Sequence, residues 1–412
     1  MEMTPPSRCR RDCAKHAAAL GSRMPKILYL VTEDWFFCQH FLPMGRAAKA
    51  AGFDVVVATR VRAHGATLAA EGFWVVPLES ERRSLAPLEL LRGLVRMRRI
   101  VADERPDVTH CIALRMVVLG GLAAKAAGCR RLILAPTGLG HLWIDDGPVT
   151  RVARAVTRAV VGRVLRGPGT RFLFENADDP REFGLDPLGS DVTLVGGAGV
   201  DPAQIVAAPE PEGPVKAAVV ARMLKPKGIP ETVAAARAAR AQGAPIELHL
   251  FGAPDPSNPT SLTEADLRAM AGDGVFWHGP TADVAAVWRD HHVAVLLSHR
   301  EGLPRSLVEA AAAGRPIITT DVTGCREVVR DGIEGVLVRR GDVAAAAAAL
   351  ARLAGDGGLR QRMGQAARAR FLAGFTTEAV MRTVGRLYRD TIAGGTGGPA
   401  AAGDLPSGQE RA

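Results

Sequence analysis

Short runs of apolar, often β-branched residues alternate with longer segments of helical periodicity along most of this chain. In the first part of the sequence the runs fall at residues 26–31, 54–58, 73–76, 107–110, 131–134 and 171–174. Continuous apolar runs of this length are typical of parallel strands that are buried on both faces. The amphipathic segments 41–51 and 88–104 stop at Gly52 and just before Pro106, where helices are expected to end. The pattern predicts a doubly wound α/β domain.

The same pattern starts again after a glycine- and proline-rich stretch at residues 196–214. The second set of strand candidates lies at residues 215–221, 246–251, 275–277, 293–297, 316–320 and 335–338. Two such sets in tandem predict an α/β fold with two Rossmann-like domains that face each other across a cleft. Ligands of these folds bind at the carboxyl ends of the strands, so we expect the functional site in that cleft.

Both ends of the chain lack this periodicity. We expect a disordered tail at 1–23, an N-terminal Rossmann-like domain at 24–195, a linker at 196–214, a C-terminal Rossmann-like domain at 215–375, a helix at 376–392 that returns to the N-terminal domain, and a second disordered tail at 393–412. Segments without periodicity and rich in small residues or proline do not build a core, so neither tail is expected to carry chemistry.

Composition and missing motifs exclude several classes of function. The net charge of +9 favours anionic ligands, but only 5% of residues are aromatic and no basic stretch is interleaved with aromatics, which argues against nucleic acid. No run of about 18 apolar residues and no signal segment is found, so we expect a cytoplasmic protein. The cysteines lack C-x-x-C spacing, and neither G-x-G-x-x-G, G-x-x-x-x-G-K-[ST] nor D-x-D occurs. We therefore expect no metal and no cofactor.

The segment 298–310 follows directly on a predicted strand and carries two carboxylates, Glu301 and Glu309. Pro304 suits the first turn of a helix, whose free backbone N–H groups bind anions. Such groups are expected at Leu303, Arg305 and Ser306. A diphosphate fits this helix start, with a ribose hydroxyl on Glu309 and a hexose hydroxyl on Glu301. The alternative interpretation is a pair of solvated glutamates.

Arg222 and Lys227 follow the first strand of the second set, and a loop at that position opens into the same cleft. Two cations there would neutralise a diphosphate and stabilise the charge that develops on a departing nucleotide. The alternative is that both are solvated loop residues.

These residues resemble the GT-B-fold retaining glycosyltransferases of family 4. Glu301 and Glu309 match the family's E-x7-E pair, and Arg222 and Lys227 match its phosphate-binding cations. The resemblance extends over the second half through Gly279, residues 313–319, Gly324 and Glu327, and over the first half through residues 41–52, 105–110, 138–140 and 174–179. Among its members, the chain is most similar to enzymes that act on polyprenyl-diphosphate-linked sugars.

The resemblance implies a metal-independent hexosyl- or N-acetylhexosaminyl-transferase, with an acceptor-binding N-terminal domain and a donor-binding C-terminal domain. The donor would be a UDP-hexose or UDP-N-acetylhexosamine, and the acceptor a glycan or a polyprenyl-diphosphate-linked sugar in cell-surface polysaccharide synthesis. The implied catalytic residues are Glu301, Arg222 and Lys227. The implied donor-binding residues are Glu309, Gly302, Leu303, Pro304, Arg305 and Ser306.

The chain departs from the family pattern at two places. Residues 32–40 stand where many members have a Gly-Gly loop, which leaves the contact of that loop with the diphosphate open. Residues 136–138 stand where many members have a cleft histidine. The candidates for the missing contact with the hexose or acceptor are Thr137, Gly138, His110 and His141, although either histidine also fits an ordinary structural role.

Residues 148–166 form a basic amphipathic segment. On a helical wheel, Val156, Val160 and Val164 share one face, with arginines opposite. One interpretation is a surface helix packed by its valines. The other is that its arginines meet an anionic membrane surface or an acceptor diphosphate, as a peripheral protein on the inner face of the plasma membrane would. The arginines concerned are Arg151, Arg154 and Arg158, with Arg92, Arg96, Arg98 and Arg99.

Two other functions remain as alternatives. A non-hydrolysing UDP-sugar epimerase also uses two α/β halves around its nucleotide sugar, and it would epimerise the donor without any acceptor. A non-catalytic sugar-binding relative would bind the donor without turnover.

Overall fold

A computed structural model describes residues 23–79, 86–143 and 147–394. The two expected tails lie outside the described residues, apart from residue 23 at one end and residues 393 and 394 at the other. The described chain forms two α/β halves, each built on one parallel sheet.

The N-terminal half contains a seven-stranded parallel sheet in the order β3-β2-β1-β4-β5-β6-β7. Its strands are β1 (Lys26–Glu33), β2 (Asp54–Arg60), β3 (Trp74–Pro77), β4 (Val108–Ile112), β5 (Leu132–Ala135), β6 (Thr170–Phe174) and β7 (Val192–Leu194). Its helices are α1 (Asp34–His40), α2 (Leu42–Ala50), α3 (Gly65–Ala70), α4 (Pro87–Glu104), α5 (Gly121–Ala126), α6 (Pro148–Ala159) and α7 (Asp179–Glu182). Helices cover both faces, which is why the central strands are apolar throughout.

The C-terminal half contains a six-stranded parallel sheet in the order β10-β9-β8-β11-β12-β13. Its strands are β8 (Val215–Val220), β9 (Ile246–Phe251), β10 (Val275–Gly279), β11 (Val293–Leu296), β12 (Ile317–Thr320) and β13 (Gly335–Val338). The helices that follow β8 are α8 (Ile229–Ala241), α9 (Glu264–Met270), α10 (Val284–Asp290), α11 (Arg305–Ala312), α12 (Cys325–Val328), α13 (Val343–Gly355), α14 (Gly357–Gly374) and α15 (Thr377–Ala393). The predicted fold class, two Rossmann-like α/β domains, is confirmed.

The strand order reverses direction between β1 and β4 in the first sheet and between β8 and β11 in the second. At such a switch point the connections leave to opposite faces of the sheet, and a crevice opens at the carboxyl ends of the strands. The loops after β1 and β4, and after β8 and β11, are therefore the segments that the fold directs towards ligands.

The last helix, α15, crosses back to the N-terminal half. Val380, Val384 and Tyr388 lie in the same apolar core as β1 and β4. The Tyr388 hydroxyl is 2.8 Å from the hydroxyl of Tyr29 and 3.1 Å from Nδ1 of His110. Residues 377–393 thus complete the core of a domain that begins about 350 residues earlier in the sequence.

The two chain crossings between the halves lie against each other. The backbone N–H of Val200 donates to Phe375 O at 3.0 Å, and that of Thr377 donates to Val200 O at 3.0 Å. Gly199 has a φ of +69°, and a Cβ there would lie 2.7 Å from Cα of Thr377. Only glycine therefore allows the two crossings to approach so closely.

The basic segment at residues 148–166 does not pack as the first of its two interpretations, a surface helix packed by its valines, requires. Val160 packs in part against the core, but Val156 and Val164 are 56% and 52% exposed, so the expectation that all three valines pack the helix against the protein is wrong for these two. The α-helix α6 ends at Ala159 and continues as a π-helical turn over residues 160–164. This change of period rotates the faces, so that Val161 and Leu165 reach the core instead.

Among the described helices, none combines the length and the apolar character that crossing a lipid bilayer requires.

Candidate functional site

A cleft of about 920 Å³ lies between the carboxyl edges of the two sheets, and both halves line it. The N-terminal half contributes the end of α1, the loop after β5 and the residue after β6. The C-terminal half contributes the loops after β8, β9 and β11 and the first turns of α11. A volume of this size fits a nucleotide sugar or a cofactor of similar dimensions.

The helix start predicted after β11 is present in the cleft. Helix α11 begins at Arg305, and its cap residue Pro304 offers no side-chain acceptor. The first N–H groups of the helix therefore depend on a ligand or solvent. The predicted residues of this helix start all line the cleft, namely Gly302, Leu303, Pro304, Arg305 and Ser306.

Lys227 and Glu301 lie together at the centre of the cleft. The Lys227 ammonium is 2.5 Å from Oε1 of Glu301, which also accepts a hydrogen bond from the Ser298 hydroxyl at 2.6 Å. Gly228 makes this pairing possible, because its φ is +70° and a Cβ there would lie 2.0 Å from Leu297 O. The Lys227 loop can therefore lie directly against the end of β11.

Arg222 lines the same cleft but is more exposed. Its guanidinium donates to Oδ2 of Asp255 at 3.0 Å, and its side chain is 61% exposed. Both predicted phosphate-binding cations are thus held by carboxylates, Lys227 by Glu301 and Arg222 by Asp255. A diphosphate entering the cleft has to share or replace these partners.

Glu309 lies one turn into α11 and is 7% exposed. Burial raises the pKa of its carboxyl, and Arg305 offsets part of that effect. The Arg305 Nε donates to Oε1 of Glu309 at 2.8 Å, while another guanidinium N–H donates to Gln39 O at 2.6 Å. Arg305 therefore connects helix α11 to the N-terminal half.

Thr137 and Gly138 line the N-terminal wall of the cleft. The Thr137 hydroxyl is buried and has no hydrogen-bond partner in the described part of the protein, so it is available to a ligand. Gly138 lies against Gly302, and a Cβ on Gly302 would be 3.1 Å from the Cα of Gly138.

Of the two histidine candidates, the structure describes the side chain of His110 only. His110 is fully buried in the N-terminal core against Tyr388 and does not line the cleft, so the structure does not bring it to the proposed hexose contact. It alternates with Val108 and Ile112 along β4, on the face that α15 covers. The side chain of His141 lies outside the described residues.

In the segment at residues 32–40, the first two residues end β1 and the rest form helix α1 rather than a loop, and the end of this helix lines the cleft. Phe36, Gln39, His40 and Phe41 line the N-terminal wall opposite α11. Burial, with a smaller contribution from Arg305, lowers the pKa of His40 to about 4. His40 is therefore neutral near pH 7 and can donate or accept a hydrogen bond. The sequence pattern did not indicate that these residues line the cleft.

A polar network joins the segment after β6 to the C-terminal half. Asn176 Nδ2 donates to Gly302 O at 2.9 Å, and the N–H of Ala177 donates to Oε1 of Glu327 at 2.9 Å. A guanidinium N–H of Arg300 lies 2.5 Å from Oδ1 of Asp179. The loop that carries Glu301 is thus positioned by both halves.

Within the described residues, no group of three or more histidine, cysteine, aspartate or glutamate side chains is arranged to hold a metal ion.

Comparison with known families identifies the chain. Residues 201–370 match the family model described as glycosyl transferases group 1, and residues 26–157 match that described as glycosyl transferase 4-like. The chain is a glycosyltransferase, and residues 201–370 are its group 1 part. The first model spans the segment from the interdomain crossing to α14, and so includes Arg222, Lys227, Glu301 and Glu309.

Two curated relatives of this glycosyltransferase cover different shares of it. The capsular polysaccharide biosynthesis glycosyltransferase CapM of Staphylococcus aureus is 29% identical over 41% of this chain, and the match spans only 44% of CapM. The N,N'-diacetylbacillosaminyl-diphospho-undecaprenol alpha-1,3-N-acetylgalactosaminyltransferase of Campylobacter jejuni is 24% identical over 72% of this chain and 81% of its own length.

The solved structures include HepE of Anabaena in complex with UDP-glucose. It superimposes with a TM-score of 0.69 at 16% identity, over 89% of this chain and 100% of HepE. At that identity the match concerns the fold, which is the two-domain GT-B fold of glycosyltransferases.

Proposed function

We propose that this glycosyltransferase transfers a hexose or N-acetylhexosamine from UDP to an acceptor, with retention of the anomeric configuration. The observation that supports this best is the convergence of Lys227, Arg222, Glu301 and Glu309 with an uncapped helix start in one cleft. These groups suit a diphosphate flanked by two sugars. The Anabaena neighbour carries UDP-glucose, which supports UDP as the nucleotide.

In the proposed reaction, the bond between the anomeric carbon and the phosphate oxygen breaks, and a bond to the acceptor oxygen forms on the same face of the sugar. The acceptor proton passes to the departing phosphate oxygen, and UDP leaves. Lys227, Arg222 and the N–H groups of α11 stabilise the charge that develops on UDP. Glu309 holds the ribose and Glu301 the hexose, so that catalysis depends on positioning as well as on charge.

The proposed acceptor is a glycan or a sugar linked to polyprenyl diphosphate, in the synthesis of a cell-surface polysaccharide. The two relatives from Staphylococcus aureus and Campylobacter jejuni support this class, because the name of one refers to capsular polysaccharide and that of the other to an undecaprenol diphosphate sugar. A wall formed by Thr137, Gly138 and the end of α1 would receive the acceptor.

A thermal screen tests the donor. Nucleotide sugars that bind the native state raise the melting temperature by mass action, and we expect UDP-sugars to do so. Replacing Glu309 by alanine should reduce the UDP-dependent shift, because a buried carboxylate that accepts a ribose hydroxyl contributes about tenfold or more to affinity. Titration calorimetry with UDP measures the loss.

Glu264→Ala is the matched control, since Glu264 is an exposed glutamate of the same half at the start of α9. Unchanged UDP affinity of the Glu309 variant would contradict the role of this residue. The same assay separates the alternatives: an epimerase converts the donor without acceptor, and a non-catalytic relative binds it without turnover.

The proposed membrane contact lies on α4 and α6. Both helices precede a strand of the N-terminal sheet, so their first turns lie at its carboxyl edge. Helix α4 and the π-helical turn that continues α6 pack on the same face of that sheet. Their exposed apolar residues are Leu88, Leu91 and Val95 in α4 and Val149, Val152 and Val156 in α6. Arginines lie beside them, including the exposed Arg99 and Arg151. An exposed apolar stripe flanked by arginines suits the surface of an anionic membrane.

Vesicle flotation tests this contact. The wild type should float with vesicles that contain phosphatidylglycerol, and less so at high salt. Replacing Val152 and Val156 together by aspartate should lower the bound fraction about tenfold or more, because two valines no longer enter the interface. Leu188→Asp is the control, because Leu188 is 68% exposed on the same half but away from both helices in sequence. Equal flotation of both variants would count against α6 as the contact.

A further inference from the structure

Glu175 is a third glutamate of the cleft, and it has no hydrogen-bond donor among the residues that the structure describes. It follows β6 directly and lines the N-terminal wall. The two neighbouring carboxylates are both satisfied, since Glu301 accepts from Lys227 and Ser298, and Asp179 accepts from Arg300 and Asn176. Glu175 is thus the carboxylate of this cluster that is left to a ligand.

The position of Glu175 is set by a close approach of the two halves. A Cβ added at Gly302 would lie 2.9 Å from Oε2 of Glu175, so the carboxylate lies directly beside the backbone of Gly302. Gly302 follows Glu301 in the sequence, and Pro304, the cap residue of α11, lies two residues further on. The Glu175 carboxylate is therefore beside the proposed hexose site rather than the nucleotide end of the cleft.

Glu175 is only partly exposed, so a carboxylate that accepts no hydrogen bond from the protein is unfavourable there, and a ligand hydroxyl can relieve that cost. We propose that Glu175 binds a hydroxyl of the transferred sugar and thereby positions this sugar from the N-terminal side of the cleft. The inference rests on the proposed function, because it assigns the partner of one residue within the same site. The contact with Glu175 comes from the N-terminal half, whereas Glu301 belongs to the C-terminal half. The sugar is therefore held fully only when the two halves enclose it.

The charges around Glu175 support a pH dependence for this contact. Burial, followed by the nearby carboxylates of Asp179 and Glu301, raises the pKa of Glu175 to about 7 from its ordinary value of 4.5. The neighbouring cations, Lys227 and Arg300, are already paired with those two carboxylates. The ionised fraction of Glu175 therefore rises from about one-tenth at pH 6 to about nine-tenths at pH 8. If the carboxylate accepts the sugar hydroxyl, affinity for the donor rises by up to about tenfold over that range.

Titration calorimetry with UDP-glucose and with UDP, from pH 6 to pH 8, tests the proposal; another UDP-sugar replaces UDP-glucose if the thermal screen selects it. Glu175→Ala should lower affinity for the UDP-sugar about tenfold at pH 8 and leave affinity for UDP unchanged. Glu175→Gln keeps a carbonyl acceptor but does not titrate, so its affinity for the UDP-sugar should lack the rise that the wild type shows between pH 6 and pH 8.

Asp178→Asn is the control for an indirect effect through closure of the cleft. Asp178 contacts Arg326 across the two halves at 2.8 Å but does not line the cleft. This variant should keep the wild-type pH dependence. If it loses the dependence as Glu175→Gln does, Glu175 acts through the contact between the halves, and the proposal is overturned.

A ligand-free measurement reports on Glu175 independently of the proposed function. Because its folded pKa lies above the ordinary value, ionisation of Glu175 destabilises the folded protein as pH rises towards and beyond 7. Glu175→Gln should therefore melt at a higher temperature than the wild type at pH 8, and the difference should shrink at pH 5. No difference at pH 8 would mean that the carboxylate is already satisfied, which overturns the proposal.

The remaining outcomes distinguish a failure of the Glu175 contact from a failure of the proposed function. Wild type that binds a UDP-sugar while Glu175→Ala binds it equally well overturns the sugar contact alone. Unchanged donor affinity together with a raised KM for the acceptor assigns Glu175 to the acceptor and overturns the proposal as stated. Wild type that binds neither UDP nor any UDP-sugar overturns the proposed function and this inference with it.

Discussion

Replacing Lys227 by methionine should lower kcat for sugar transfer about 10²- to 10³-fold, the usual loss when one group that stabilises transition-state charge is removed. The Lys227 ammonium lies 2.5 Å from Glu301 and lines the cleft beside the α11 helix start. Methionine preserves most of the length of the side chain but not its charge. Initial-rate kinetics with a UDP-sugar and acceptor would measure the effect, which should fall mainly on kcat.

Lys225→Met is a close control, because Lys225 lies two residues earlier in the same loop, is exposed and does not line the cleft. It should retain near wild-type kcat. The Lys227 variant also leaves Glu301 without its cation, so the double variant with Glu301→Gln is needed to separate the two effects. Retention of a third or more of kcat by Lys227→Met would remove Lys227 from the charge-stabilising role.

Replacing Gly228 by alanine should lower the free energy of unfolding by about 3 kcal/mol or more, because two costs combine. The residue has a φ of +70°, which alanine adopts only with strain, and the added Cβ would lie 2.0 Å from Leu297 O. The clash forces the Lys227 loop away from the end of β11. Calorimetry of the ligand-free protein should show a lower melting temperature, and transfer assays should show lower activity.

Gly243→Ala isolates the cost of the backbone conformation alone. Gly243 has a φ of +88° at the end of α8, but nothing lies within 4 Å of a Cβ built there. Alanine at this position should cost only about 1 kcal/mol. Equal destabilisation by the two substitutions would show that close approach to β11 is not what requires glycine at position 228.

Much of the fold could be predicted from the alternation of apolar runs and helical segments, because parallel strands that are buried on both faces consist of continuous apolar runs. Strands β9 and β13 begin and end where the apolar pattern does, and the other predicted runs overlap their strands to within a few residues. Strand β7 escaped prediction because it has three residues, Val192–Leu194, of which only Val192 is buried. A run this short carries no periodicity.

Helix α1 shows a different limit of prediction. Its cap residue Glu33 makes no side-chain hydrogen bond to the first turn of the helix, so the usual start signal is missing. The helix is held by packing of Phe37 against Tyr29 and Phe73. Residues 32–40 differ from the Gly-Gly loop that many family members have at this position, and the sequence offers no other signal that Gln39 and His40 lie in the cleft. Tertiary contacts decided this local structure.

The candidate site was predicted best where one short segment carries it. Glu301, Glu309 and the α11 helix start are adjacent in sequence, and the structure brings Arg222 and Lys227 to the same cleft; their roles stay predictions. Glu175 was missed, although a polar residue directly after a buried strand is a signal that sequence can give. His110 was a candidate for the contact that the family's cleft histidine makes, and the sequence could not exclude it because its actual partner, Tyr388, lies 278 residues away.

The return of α15 has a consequence for how this protein emerges from the ribosome. The N-terminal half lacks Val380, Val384 and Tyr388 until the C-terminal half has been made, so its core stays incomplete while the C-terminal half is synthesised and can close first. The usual order of vectorial folding, first domain before second, is therefore disfavoured for these two halves. The N-terminal half would be the last to become resistant to cellular proteases.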